Sequence, residues 1–143
     1  MIDKDSLGNE GTPFILDVER GKVAEFARAV RSEDPAHHAG EQPVAPPTFL
    51  ATQMHWEQGV PDSNPWDTIQ MDPAKGVHAE QEYVFHGPPP RAGERLHAQS
   101  RIAEIWEKEG RAGMLVFVKM ITEFRDSEGT LRAEAILTGV ERP

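Results

Sequence analysis

Residues 46–59 read PPTFLATQMHWEQG, and this stretch decides the architecture. Pro46 and Pro47 stand before Thr48, Phe49, Leu50, Ala51, Met54 and Trp56, and Gly59 follows. Proline at the start and glycine just past the end is the asymmetry expected of a helix, so the spacing predicts one over Pro47 to Gln58. Its apolar groups cover most of the circumference, whereas a solvated helix would show a polar stripe. Such a helix belongs inside the protein, and the rest of the chain must supply its wrapper.

The C-terminal half has the pattern for that wrapper. Val77, Ala79, Tyr83 and Phe85 alternate, as do Leu96, Ala98 and Ile102, then Met114, Val116, Val118 and Met120, then Leu131, Ala133, Ala135 and Leu137. A period of two means half-buried strands. Turn residues separate them at Gly87 to Gly93, Glu107 to Gly113 and Asp126 to Gly129, and short connections favour antiparallel neighbours, so a meander of four consecutive strands is expected. Met114 to Ile121 is apolar on both faces except at Lys119, which places that strand centrally, with its outer face open to cover by a partner subunit. Upstream, Thr12 to Val18 reads as a strand, and Val23, Phe26, Ala27 and Val30 as a helix. These elements make an α+β protein in which a curved antiparallel β-sheet wraps around a central apolar α-helix.

With 143 residues the chain fits one domain, and neither Pro-rich loop, Pro43 to Pro47 or Pro61 to Pro73, reads as a linker. A formal charge of -9 argues against general binding to nucleic acid or anionic membranes, which requires clustered Lys and Arg. Absence of cysteine removes disulfides, thiolate metal sites and a thiol nucleophile. No apolar run approaches about 18 residues and Met1 to Gly11 lacks a basic segment, so a cytoplasmic location and no membrane association are expected. Histidines at 37, 38, 55, 78, 86 and 97 show no metal-ligand spacing, and neither metal nor cofactor is expected.

Four segments in order carry a family likeness. Glu25 to His38 (EFARAVRSEDPAHH) resembles the helix and substrate loop of MaoC-like hydratases, Val44 to Phe49 (VAPPTF) the start of their hot-dog helix, Val77 to Phe85 (VHAEQEYVF) the next strand, and Pro90 to Glu94 (PRAGE) its exit turn. The chain is most similar to the N-terminal MaoC dehydratase subfamily, which includes mycobacterial (3R)-hydroxyacyl dehydratase subunits that pair with a second hot-dog chain. The resemblance implies that residues 1–143 form a single MaoC-like hot-dog domain.

It also implies a chemistry: water adds to a trans-2-enoyl thioester, or leaves in reverse, with Asp and His positioning and deprotonating the water. Oriented amides at a helix start stabilise the enolate charge. Placing Asp34-Pro35-Ala36-His37 on the family's N-P-x-H puts His37 at the catalytic histidine and Ser32 at the catalytic aspartate. A serine orients water without making it basic, and Glu33 and Asp34 are the neighbouring carboxylates available to replace the missing one. At the helix start, catalytic members carry His-Gly where this chain has Pro46-Pro47, and Pro47 has no amide hydrogen to donate. Thr48 is the next available donor. The catalytic candidates are therefore His37, Ser32 and Asp34, and the substrate-binding candidates are Ala45, Pro47, Thr48, Phe49 and Arg91.

Plainer readings stand beside these. His37 and His38 fit an ordinary surface loop, Phe49 and Trp56 a core, Arg91, Arg95 and Arg101 a solvated sheet edge, and Trp66 a loop folded back on the body. Two deficits in one site favour a subunit that binds the acyl part of a coenzyme A or carrier-protein thioester, in fatty acid or steroid side-chain metabolism, and that forms a homo- or heterodimer with a second hot-dog chain. The alternatives are a self-sufficient homodimeric (R)-specific enoyl-CoA hydratase using His37, a hot-dog thioesterase for which only Glu57 offers a carboxylate, and a lipid-binding protein.

Overall fold

Alternating side chains set five strands in the computed structural model, which describes residues 1–143. They are β1 (Phe14–Asp17), β2 (Gly76–Phe85), β3 (Arg95–Gly110), β4 (Gly113–Arg125) and β5 (Leu131–Glu141). All neighbours are antiparallel, in the order β1-β3-β4-β5-β2, so the apolar β4 is the central strand, as its composition requires. The result is the curled half-barrel sheet of a hot-dog fold. No helix is long and apolar enough to cross a membrane.

The expected meander holds for β3, β4 and β5 and fails for β2. That strand pairs with β5 at the far edge, with Tyr83 opposite Ala135 and Phe85 opposite Ala133. Curling of the sheet makes this connection short: residues 86–94 cross from one edge toward the other, held by Arg132 at the start of β5. Its guanidinium donates to Glu94 at 3.0 Å and to the Pro88 carbonyl at 3.3 Å. Register breaks between Ile102 and Glu104 and between His78 and Glu80 add the bends that a curled sheet needs.

Helix α1 (Arg20–Ala29) buries Val23 and Ala27, one turn apart, and Val23 joins the main core with Phe14 and Leu16. It stops where Arg31 takes a left-handed φ of 55° and the Ser32 amide reaches back to the Ala27 carbonyl at 2.9 Å, a closure that fixes the start of the next loop.

The central helix differs from the expected one. It begins as a 3-10 turn over Phe49–Thr52 and becomes α2 (Gln53–Glu57) for little more than one turn. Phe49 and Leu50 are fully buried in the main core with Phe14, Leu16, Leu96 and Phe124, while Ala51, Met54, His55 and Gln58 face outward. The reason is geometric: the sheet packs closely against one side of the helix and leaves the other side open to solvent. Residues 61–73 are not a bare loop. Pro65–Ile69 forms a 3-10 turn, Ile69 is fully buried in a second apolar cluster with Ile102 and Val118, and Trp66 lies flat over Gly139.

Candidate functional site

The loop that leaves α1 is organised by its own polar side chains. Asp34 accepts the Ala36 amide at 2.9 Å, capping a short 3-10 turn over Pro35–His37. The turn swings His37 inward, leaving it 8% exposed, with Nδ1 2.8 Å from the Val44 carbonyl oxygen. Val44 returns an amide bond to the Ala36 carbonyl at 2.8 Å, so the histidine turn and the segment preceding the helix are laced together. The same segment pairs with the exit turn: Ala45 N–H donates to Pro90 O at 2.8 Å, Ala92 N–H to Pro43 O at 3.0 Å, and Val44 bridges Arg91.

His37, Ala45 and Arg91 are thus brought together around Val44. Arg91 is exposed and donates to the Gln42 carbonyl at 3.2 Å. Pro47 and Thr48 stand exposed at the helix start, and the Thr48 amide donates to no protein acceptor. Phe49 packs edge-on against Phe26, ring centres 5.7 Å apart, and is 1% exposed, so its side chain belongs to the core.

The two other candidates in the loop do not touch the histidine ring. Ser32 Oγ accepts the Asp34 amide at 3.3 Å, and its carbonyl oxygen holds His38 Nε2 at 2.8 Å. The bonded oxygen of Asp34 is engaged by the backbone it caps. No carboxylate hydrogen-bonds to His37, whose single ring partner is a carbonyl oxygen. A carbonyl only accepts, so Nδ1 carries the proton and the neutral ring keeps its lone pair on Nε2.

A cavity of about 370 Å³ opens between the helix and the inner face of β2, β4 and β5. Ala51, Met120, Ala135 and Leu137 give it apolar wall, Asn64, His78 and Gln81 add polar groups, and Gln53, Glu57 and Thr122 form a polar chain along it. Gln53 Nε2 donates to Glu57 Oε1 at 2.8 Å and to Thr122 Oγ1 at 3.1 Å, and Thr122 meets Ser100 Oγ at 2.8 Å. Burial pushes the Glu57 carboxyl above its ordinary range; the Gln53 bond opposes this and the charge of Asp67 adds to it. Burial likewise raises the Tyr83 hydroxyl at the cavity wall. Glu57 also borders a larger, more polar cavity of about 540 Å³ with Asp62, Asn64 and Asp67.

The sequence offers Glu57 only as the carboxylate of a thioesterase and does not reveal the hydrogen-bonded chain that it ends. A signal existed: Ser100 and Thr122 occupy inward positions of strands whose other inward residues are apolar, and such groups require partners. No group of three or more His, Asp or Glu side chains is arranged to hold a metal ion.

Residues 6–134 match the family model described as FAS1-like, dehydratase domain region. A UPF0336 protein of Parafrankia sp. is 32% identical, with 99% of this chain and 95% of that protein covered. Among solved structures, the C-terminally truncated HadBC (3R-hydroxyacyl-ACP dehydratase) complex of Mycobacterium tuberculosis superposes with a TM-score of 0.75 at 25% identity, covering 96% of this chain and 98% of that one. The ChsH1-ChsH2 complex of the same organism shares the fold at a TM-score of 0.70 and 16% identity, over 93% of this chain and 84% of that one.

Proposed function

Because the chain belongs to the family of FAS1-like dehydratase domain regions, we propose that it is the acyl-thioester-binding subunit of an (R)-specific enoyl-thioester hydratase or 3-hydroxyacyl dehydratase, completed by a catalytic hot-dog partner. One observation carries this reading: His37 is held by the Val44 carbonyl and not by a carboxylate. A histidine so placed accepts a proton at Nε2, but nothing acidic beside it stabilises the imidazolium that would form. At the helix start Pro47 has no amide to offer, which removes a carbonyl donor worth about 3 kcal/mol in sites that use one. Thr48, with its free amide, is the donor this chain retains.

Two features support a partner chain. β2 is a ten-residue edge strand that pairs on one side only, and a long open edge is a template for another sheet. The exposed side of the helix carries Met54, 55% exposed, with His55 and Gln58. Two of the similar structures are themselves complexes of unlike chains by name, HadBC and ChsH1-ChsH2. In this reading the acyl part, fatty or steroid-derived, enters the groove between helix and sheet while Arg91 faces the phosphates of coenzyme A or a carrier-protein arm.

The test is to purify the chain alone and assay hydration of crotonyl-CoA and longer enoyl-CoAs, alongside thioester binding by calorimetry. Binding with no turnover is the expected result. Turnover abolished by His37→Ala would establish instead a self-sufficient homodimeric hydratase, the reading favoured by the free Nε2 of His37.

A further inference from the structure

The cavity beside the central helix is poorly suited to plain hydrocarbon. Its apolar wall is interrupted by Asn64, His78, Gln81 and Thr122 and, from the helix itself, by Gln53 and Glu57, the last 8% exposed. The hydrogen bonds of these two helix residues account for only half of what they present. Gln53 spends both amide hydrogens on Glu57 and Thr122, and Glu57 accepts on Oε1, so Gln53 Oε1 and Glu57 Oε2 have no protein partner. A saturated chain packed there would strip water from both oxygens and return nothing. A hydroxyl or ketone on the chain would replace the water directly.

Assuming, as above, that this groove receives the acyl part, we propose that it selects acyl groups bearing an oxygen substituent in their distal half, with Gln53 and Glu57 as the groups that read it. The placement follows from the helix. Glu57 lies eight residues beyond Phe49, across a 3-10 turn and a turn of α-helix, roughly 14 Å along the axis from the helix start, where the thioester carbonyl would sit. Apolar residues, Ala51, Ala135 and Leu137 among them, make up half of the lining, so a largely apolar chain that carries a polar substituent matches it better than plain hydrocarbon. Burial keeps the Glu57 carboxyl protonated to higher pH than usual, so it can donate to a ketone when neutral or accept from a hydroxyl when ionised.

Calorimetry on the protein, in the assembly in which it purifies, would compare decanoyl-CoA with hydroxydecanoyl-CoAs carrying the hydroxyl at successive distal positions. At least one of them should bind about tenfold more tightly than decanoyl-CoA. Glu57→Leu should erase or reverse that preference, with Gln53→Leu as the second variant if the first does not fold. Equal affinity across the series, or a preference that survives both variants, overturns the selection while leaving the acyl groove intact. If no thioester binds at all, the acyl-thioester reading falls and this inference falls with it.

Discussion

The Nδ1 atom of His37 and the carbonyl oxygen of Val44 are 2.8 Å apart, and this contact orients the imidazole ring of the loop that follows α1. A backbone acceptor sets tautomer and direction as a carboxylate would, but adds no negative charge. The same residue, Val44, ties the histidine turn to the helix start and to the Arg91 turn.

The first expected outcome concerns that tautomer. Nitrogen-15 NMR of imidazole-labelled protein at alkaline pH should show His37 protonated at Nδ1. A dominant Nε2–H form would mean that the Val44 bond is absent in solution.

Asp34 acts through the backbone and not through the histidine ring. Asp34→Ala removes the cap of the Pro35–His37 turn, a loss of about 1 kcal/mol, and should lower the melting temperature by roughly 3 °C. Ser32→Ala removes only a 3.3 Å bond and should shift it less. Calorimetric melts of the two variants distinguish these roles.

Glu57 gives stability a pH dependence of defined sign. Burial holds its native carboxyl above the ordinary glutamate range, so between the unfolded and native titration points the folded chain holds a proton the unfolded chain has lost. Stability from this group is complete below the ordinary glutamate range and is lost as pH rises through the raised native value. Glu57→Gln should flatten this slope and leave the protein relatively more stable near neutrality. Guanidinium unfolding of both proteins across that range measures it, and parallel curves would contradict the assignment.

Gly139 lets Trp66 lie against the sheet. A Cβ at this position would stand 2.7 Å from two atoms of the indole ring. Gly139→Ala should cost about 1–3 kcal/mol by overpacking and displace Trp66. Denaturant titration and a red-shifted tryptophan emission would report it; an unchanged spectrum would place Trp66 elsewhere in solution.

The sequence by itself determined the elements and their chemical character. Alternation in Leu96, Ala98 and Ile102 and in Met114 to Met120 made strands, and the order of the four family-like segments named the fold, because side-chain period is a local property that burial of one face imposes on any such strand. It also offered His37, Ser32 and Pro47 as candidates, because the resemblance compares residue types. Tertiary structure alone decided where β2 goes, since pairing with β5 depends on how far the sheet curls and on Arg132 spanning the crossover. It decided too that Phe49 faces the core while Met54 faces out, because a 3-10 turn changing to α rotates the faces in a way that assuming one helical period hides. The chain from Ser100 through Thr122 and Gln53 to Glu57 joins three elements far apart in sequence, and only folding brings its members within hydrogen-bond reach.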